Sequence, residues 1–186
     1  MKNALFFSLI LFLFCNSASA QLPVKIVFGQ IFNDDGTLGA FSVKKYAALT
    51  DSLDKNLKLN PKDTTSLFYR AVIHLFSNDV LAKPYQRQQG ALENLVLARN
   101  MAESAVSLNM KDFRLKVLRA QIYKNLAYRY TGDESWMFNS KQIAARSKEF
   151  NSYKEKANKY YDELAEIDAD HAYSYQQLKV TSEYRL

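Results

Sequence analysis

The chain has 186 residues, of which 48% are hydrophobic and 24% charged, a balance typical of a domain that can bury a core. This composition argues against a disordered protein, and the length favours one domain. Only 5 Gly and 3 Pro are present, which argues against collagen-like, turn-dense all-β and glycine-looped nucleotide-binding folds. Long helices are therefore expected.

The first twenty residues have the organisation of a secretory leader. Lys2 precedes an apolar run over residues 4–14, and Ala18 and Ala20 form the small-x-small pattern that a signal peptidase recognises. The run is shorter than the ~20 residues that a membrane-spanning helix needs. We therefore predict cleavage between Ala20 and Gln21, which leaves a soluble chain without a transmembrane segment.

A lipoprotein signal is the alternative, with the single cysteine, Cys15, as the lipidated residue. Such a site requires small residues before the cysteine, whereas Leu13 and Phe14 stand there, so lipidation is disfavoured. After cleavage the chain has no thiol, which excludes disulfides, thiolate metal ligands and a cysteine nucleophile. The short leader and the cysteine-free mature chain favour a bacterial protein that is periplasmic or secreted.

Three regions are expected in chain order: the leader over residues 1–20, an extended N-terminal arm over 21–40, and a helical domain over 41–186. In the arm, alternating apolar residues precede an Asp-Gly turn at residues 35–36, which indicates a short strand. Further along, apolar spacings of three and four, together with caps and breakers, predict about six helices. Their expected bounds are 41–57, 64–76, 91–108, 113–130, 141–167 and 171–183, the last capped by Asp170.

An internal repeat links the turns between these helices. Residues 57–63 precede a helix that contains Ala71, and residues 106–112 precede a helix that contains Ala120. Turn and helix therefore both recur at an offset of 49 residues, and residues 165–170 form a weaker third copy. Recurring helix–turn–helix units are typical of stacked helical hairpins, each of which buries one face against its neighbours.

The repeated unit resembles the tetratricopeptide repeat family, in which small residues allow close helix approach and a Leu-Asn/Asp-Pro turn ends each hairpin. The turn at 59–61 matches this pattern, and the turn at 108–110 matches it with Met110 in place of proline. The spacing of 49 residues departs from the family's value of about 34. The small and aromatic positions are matched by Ala71, Ala98, Ala105, Ala120, Tyr123, Ala157 and Tyr161, while His74 replaces an aromatic residue.

The resemblance implies an all-α solenoid of stacked antiparallel helical hairpins, with a generic helical bundle as the alternative. In this family, the first helices of successive hairpins line a concave groove that binds peptides. If this chain has the groove that the resemblance implies, its lining would be mixed apolar and basic, without the residues that clamp a carboxylate. Its residues would be Phe68, Val72, Leu75, Arg114, Val117, Gln121, Lys124, Tyr173 and Gln176.

Recognisable catalytic and metal-binding motifs are absent from the sequence. The two histidines, His74 and His171, lie in no metal-binding spacing. The acidic turn at 168–171 lacks the bend glycine and closing glutamate of a calcium loop, and residues 33–36 are interpreted as a turn. No phosphate-binding glycine loop and no nucleophile elbow occurs. We therefore predict no cofactor, no metal and no catalytic residues.

The formal net charge of +6 is concentrated over residues 113–130. Two interpretations are open: a patch for an acidic partner, or a solvated helix face that neighbouring acids neutralise. The second is favoured, and nucleic acid is not expected as a partner of an exported protein. The cations are Arg114, Lys116, Arg119, Lys124 and Arg129, and the acids expected to neutralise them include Glu155, Asp162, Glu163 and Glu166.

These features favour an exported, non-catalytic protein that binds another protein or a peptide, and the mixed apolar and basic groove leaves an acidic partner open. The alternative is a structural or accessory subunit of an envelope complex that docks through the 21–40 arm, and an enzyme is the least favoured class. The arm distinguishes the first two hypotheses. Packing of the arm on its own helices supports groove binding, and projection supports docking.

Overall fold

The computed structural model describes residues 22–34, 43–77, 90–131 and 135–184. Within these ranges the chain forms six α-helices and one two-stranded antiparallel sheet, which confirms the predicted mostly helical fold with about six helices. The elements are β1 (Val24–Val27), β2 (Gln30–Asn33), α1 (Ala47–Leu59), α2 (Thr64–Phe76), α3 (Ala91–Ser107), α4 (Phe113–Tyr128), α5 (Ser140–Ile167) and α6 (Ala172–Leu178).

Some sequence predictions fall outside this part of the chain. The leader, the cleavage site between Ala20 and Gln21, Cys15 and the Asp-Gly pair at 35–36 lie outside the described residues. The helices that the structure does describe include none with the length and hydrophobicity of a membrane span.

Side-chain caps set the starts of three helices, α2, α4 and α5. Asp63 and Asp112 each accept a hydrogen bond from the backbone N–H two residues later, which satisfies a donor that the helix leaves free. Asn139 and Gln142 form a reciprocal capping box at the start of α5. Because caps and breakers act within a few residues, the predicted bounds of α2 to α5 agree with the structure within two residues.

The predicted bounds at the two ends of the helical region are wrong. The first α-helix begins at Ala47, after a 3₁₀ turn over Val43–Tyr46, rather than at residue 41. The last helix ends at Leu178 instead of residue 183. Asp170 does not cap it, because this residue lies within a second 3₁₀ turn, Ala169–His171.

The helices form three helical hairpins, which we number in chain order: α1–α2, α3–α4 and α5–α6. Each helix packs chiefly against the helix that precedes or follows it. The alanines that the sequence places at close helix contacts have no exposed surface, as close approach of two backbones requires. These alanines are Ala71, Ala98, Ala105, Ala120 and Ala157.

One interhelical ion pair recurs in each helical hairpin. An acid four or five residues before the end of the first helix accepts hydrogen bonds from a cation on, or just after, the second helix. The acid and the cation are 16, 16 and 17 residues apart, and the first two pairs are offset by the 49 residues of the sequence repeat. The pairs are Asp54–Arg70 at 2.6 Å, Glu103–Arg119 at 2.7 Å and Asp162–Lys179 at 2.8 Å.

The N-terminal arm folds as a β-hairpin, β1–β2, in place of the single strand that the sequence predicts. The strands are joined by the two-residue turn Phe28-Gly29, and both turn residues have positive φ, as a type I′ turn requires. The inward face of the hairpin buries Ile31, and Leu22 just before it is buried as well. The arm therefore packs on the helical hairpins.

Candidate functional site

The apolar residues of the predicted groove belong to the core. Each is essentially inaccessible to solvent and is part of the main hydrophobic cluster, which spans the helical hairpins and the β-hairpin. Side chains in this position contribute to stability and cannot line an open groove in this conformation. The residues are Phe68, Val72, Leu75 and Val117.

Gln121 shows what covers this face. Its side-chain amide accepts a hydrogen bond from the Ile31 N–H at 2.7 Å and donates one to the Ile31 carbonyl at 3.4 Å. Gln121 is only 9% exposed, so both amide groups need a partner inside the protein. The strand β2 supplies that partner and lies along α4, where the sequence places the groove. A buried glutamine can be expected to need hydrogen-bond partners inside the protein. Its sequence does not indicate that the partner lies 90 residues away.

The tip of the β-hairpin rests on α6. A Cβ atom added to Gly29 would lie 2.9 Å from the Tyr175 ring and 3.0 Å from a Leu178 methyl group, so only glycine fits there. Tyr175 is in turn fixed by its hydroxyl, which donates a hydrogen bond to Asp168 at 2.8 Å. Nothing in the sequence marks Gly29, Tyr175 or Asp168 as residues that place the arm.

Four of the predicted groove residues reach the surface. Tyr173 is 77% exposed, and the exposed Gln176 donates a hydrogen bond to Asp162 at 2.9 Å. Lys124 is half-buried, and this burial lowers the pKa of its amine. These side chains lie on two separate helices: Lys124 is on α4, and Tyr173 and Gln176 are on α6.

The fourth, Arg114, is neutralised within its own turn. It pairs with Asp112 at 2.6 Å, and this hydrogen bond lowers the pKa of the Asp112 carboxyl. Its guanidinium also lies 5.2 Å from the centroid of the Phe68 ring, a cation–π distance. Arg114 therefore joins the start of α4 to α2.

Two cations of the basic segment pair with acids other than those that the sequence suggested. Arg114 pairs with Asp112, and Arg119 makes a two-pronged ion pair with Glu103. Neither of these two ion pairs involves the acids named from the sequence, which lie on α5. Lys116 remains exposed to solvent. The partners were missed because they lie on α3 and at the α4 cap, and helix packing brings them close.

A pocket of about 230 Å³ opens where the end of α3, the start of α4 and the end of α5 meet. The buried side chains of Leu115 and Leu164 line its interior. At its margin, Val106 and Ile167 are 38% and 56% exposed, which is unusual for aliphatic side chains of this size. The pocket therefore offers an apolar surface that is open to solvent.

Three cations and one acid, Glu163, line this pocket. Lys111 and Lys116 line it with exposed amines, and the Arg119 guanidinium stacks 4.0 Å from the centroid of the Tyr160 ring. Arg119 is already paired with Glu103, so the two lysines are the cations here for which no ion pair is found among the described residues. An apolar side chain next to a carboxylate has the chemistry that fits this pocket. Of its residues, the sequence indicates Lys116 and Arg119 only as members of a charged helix face.

The larger cavity, of about 580 Å³, has different chemistry. Its lining consists of residues from α5 alone, all of them polar or charged, such as Lys154, Asn158 and Asp162. A single helix face cannot enclose a ligand, and these side chains already bond to the segment after α6: Lys154 to Ser182 and Asn158 to Val180. We therefore place no site there.

Each histidine is held by a local partner. His74 Nδ1 lies 2.9 Å from Asn94 Oδ1, and burial lowers the pKa of His74 below 6.5. His171 Nδ1 lies 2.9 Å from an Asp168 carboxylate oxygen, and this contact raises the pKa of the exposed His171. The described part of the chain contains no group of three His, Cys, Asp or Glu side chains placed to hold a metal ion.

Comparisons with known protein families, with curated proteins and with solved structures found no match to this chain.

Proposed function

We propose that the protein is a non-catalytic helical-repeat protein, related to the tetratricopeptide repeats, that binds an acidic segment of another protein outside the cytoplasm. The repeat assignment is supported by the interhelical ion pair that recurs in all three described helical hairpins. It is supported further by packing between successive helices, which is how solenoid repeats bury their apolar faces.

The pocket between α3, α4 and α5 is the observation that carries the binding proposal. A volume of about 230 Å³ accommodates one large side chain, and the exposed Val106 and Ile167 would be covered by such an anchor. Lys111 and Lys116 favour carboxylates on either side of the anchor. A partner segment with an apolar residue flanked by Asp or Glu combines both features.

The position of the N-terminal arm supports this proposal over the alternatives. An accessory subunit docking through a projecting arm needs the arm free of its own helices, whereas Ile31 is buried and bonded to Gln121. An enzyme needs catalytic side chains in a cleft, and the pocket residues that could act as acids or bases, such as Glu163, are exposed on a helix surface.

Peptide binding tests the proposal directly. Labelled peptides with one leucine between acidic residues should bind in a fluorescence anisotropy titration, and otherwise identical peptides with lysine in place of the acids should not. Charge reversal of the pocket lysines, Lys111→Glu with Lys116→Glu, should weaken binding at least about tenfold. The matched control, Lys55→Glu with Lys58→Glu, changes the net charge equally on α1 and should leave binding unchanged.

Two results would contradict this proposal. Equal affinity for acidic and basic peptides would remove the charge argument, and equal weakening by both double variants would show a long-range effect of net charge. Binding that survives charge reversal but is lost on Ile167→Asp would instead keep the pocket and reject the acidic partner.

Export is tested at the N-terminus of the protein recovered from its native cells. We expect the chain to begin at Gln21 by intact mass, because the peptidase pattern ends at Ala20. A lipid-modified N-terminal Cys15 would show instead that the protein is membrane-anchored.

A further inference from the structure

The chain after α6 runs along one face of α5. At Lys179 it leaves the helix with ψ 146°, and residues 180–184 lie in neither a helix nor a strand. Asn158 on α5 binds the main chain of Val180 twice: its side-chain amide accepts a hydrogen bond from the N–H at 2.7 Å and donates one to the C=O at 3.1 Å. One side chain thus satisfies both main-chain groups of this residue.

Two more contacts continue this alignment. Lys154 donates a hydrogen bond to the Ser182 carbonyl at 2.8 Å, and the ring centroids of Phe150 and Tyr184 lie 5.9 Å apart. From Asn158 the contacts therefore step back along α5 by four residues each time, while they advance along the segment by two. Four residues of a helix span about 6 Å and two residues of extended chain span about 6.6 Å, so the two spacings match when the segment is extended. The three helix residues form what we call the α5 face.

The 180–184 segment is held mainly through its main chain. The three hydrogen bonds that join it to the α5 face all involve main-chain groups, and the side chains of residues 181–183 are exposed. Val180 and Tyr184 are half-buried at the margin of the core. A segment with so few buried apolar contacts detaches at a low free-energy cost. A face that binds main chain also accepts another extended segment, provided that its side chains suit these two positions.

The space beside the segment distinguishes a partner from a second copy of the chain. Lys154 and Asn158 also line the open cavity of about 580 Å³, whose lining includes no residue of the 180–184 segment. This cavity does not enclose a ligand by itself, but it can take side chains of a segment that lies on the α5 face. Its charged lining consists of the acids Glu155, Asp162, Glu163 and Glu166 and the cations Lys154 and Lys159, so its complement is a basic side chain. The resident segment has no cation between Val180 and Tyr184, and a second copy would bring the same sequence.

We propose that the α5 face binds an extended basic segment of a partner protein, which replaces the resident 180–184 segment. The resident contacts specify a β-branched residue in place of Val180 and an aromatic residue four positions later, and the cavity specifies lysine or arginine between them. Because the resident segment is attached, it competes at an effective concentration of about millimolar, and a mismatched segment does not displace it. The residues of the α5 face do not line the pocket between α3, α4 and α5, so this inference does not depend on the function proposed for that pocket.

Peptide titrations followed by nuclear magnetic resonance, with the protein expressed from the full-length sequence, test this inference. The probe is a blocked peptide that copies residues 178–184 with lysine in place of Thr181 and Glu183. We expect the Asn158 side-chain amide signals to shift and the Val180 amide to exchange about tenfold faster, because its own bond to Asn158 is lost. The unmodified copy should bind at least about tenfold more weakly. The control is the basic peptide methylated at its valine nitrogen, which cannot donate to Asn158. Equal effects of the basic peptide and this control, or of the basic peptide and the unmodified copy, would overturn the proposal.

One variant releases the resident segment. Val180→Pro removes the N–H that bonds to Asn158, and the extended Lys179 before it suits a proline, so the helices should be unaffected in circular dichroism. The affinity for the basic peptide should then rise at least about tenfold, because the competitor is detached. If the affinity does not rise, the resident segment does not occupy the site. If sedimentation shows that Val180→Pro forms a dimer that the basic peptide does not dissociate, the occupant is a second copy and the proposed partner is wrong.

Two further variants remove the site itself. Asn158→Leu deletes the amide that both segments need, so it should abolish peptide binding, and Lys154→Met, which deletes one bond, should weaken it about fivefold. The matched control is Asn100→Leu, at an exposed asparagine on α3, which should leave binding unchanged. Normal peptide binding by both Asn158→Leu and Lys154→Met would show that the α5 face is not the site.

Discussion

The first and second helical hairpins have equivalent sequence positions but end their first helices in different ways. After α1, Asn60 is extended at φ −137°, because the following Pro61 disfavours a helical conformation. After α3, Asn109 adopts φ 64°, and Met110 donates its N–H to the Ala105 carbonyl at 3.1 Å. The second turn is thus a Schellman motif.

The same ion pair nevertheless forms in both hairpins. Asp54 and Arg70 are joined by one hydrogen bond, whereas Glu103 and Arg119 form two, and Glu103 also accepts one from Tyr123 at 3.0 Å. The repeat therefore preserves the contact between the helices and not the conformation of the turn. The two hairpins thus share the positions at which their helices pack, whereas the conformation of each turn follows its local sequence.

The largest effect is expected at the alanines that both hairpins bury. Ala120→Leu and Ala71→Leu each insert three carbon atoms where no surface is exposed, which should lower the free energy of unfolding by about 1–3 kcal/mol. Urea denaturation measures this, with the exposed Ala145→Leu on α5 as the control, expected within about 0.5 kcal/mol. A neutral Ala120→Leu would show that the repeat register is wrong.

The two turns should respond unequally to exchange of their residues. Met110→Pro gives this turn the proline of the first turn but removes the N–H that bonds to Ala105 and disfavours the left-handed Asn109, so we expect a loss of about 2 kcal/mol. The reverse exchange, Pro61→Met, should change the unfolding free energy by at most about 1 kcal/mol. Thermal melts of both variants make the comparison. Stabilisation by Met110→Pro would contradict the Schellman assignment.

The ion pairs should differ in coupling energy. A double-mutant cycle with Glu103→Gln and Arg119→Met should give about 1–2 kcal/mol, because two charge-assisted bonds and the Tyr123 hydroxyl depend on Glu103. The corresponding cycle with Asp54→Asn and Arg70→Met should give less than about 1 kcal/mol, since a single bond joins a carboxylate that is 42% exposed. Equal coupling energies in the two cycles would mean that the number of hydrogen bonds does not determine the strength of the ion pair.

The smallest effect is a pH dependence confined to the first hairpin. His74 occupies the repeat position of Tyr123, and burial keeps its folded-state pKa below the unfolded value of 6.5. Its stabilising contribution is present above pH 6.5 and is lost as the pH falls through the folded pKa. His74→Gln should flatten the decline in unfolding free energy between about pH 7 and 5.

His171 provides the control for this titration, since its pKa is shifted in the opposite direction. Its pKa is raised by Asp168, so its contribution is full below pH 6.5 and is lost as the pH rises through the raised value. His171→Gln should therefore leave the acid decline at least as steep. If His171→Gln flattens it instead, His74 is not its source.

The parts of the fold that depend on contacts between residues close in the sequence could be predicted. Asp63 and Asp112 mark helix starts because a cap bonds within its own first turn, and the burial of Ala71 and Ala120 follows from the repeat. The three interhelical ion pairs, in contrast, were not predicted, and the third also departs from the repeat. Its cation, Lys179, lies just beyond the end of α6, and the surrounding sequence differs from the first two copies.

The candidate site could not be predicted because it depends on contacts between distant residues. The groove lining was assigned by position in a family resemblance, and nothing near Phe68 or Val117 indicates that the arm would cover this face. The bond between Ile31 and Gln121 joins residues 90 positions apart. The pocket likewise combines residues from three helices, such as Val106, Lys116 and Ile167, none of which belongs to a motif.

The bond between Ile31 and Gln121 also has a consequence for the order in which the protein folds. The helical hairpins are stabilised by residues 16 or 17 positions apart, and such short loops close at little entropic cost. The arm is synthesised first, but its binding surface on α4 does not exist until the second hairpin has formed. We therefore expect the N-terminal strands to be the last element to dock and the first to detach.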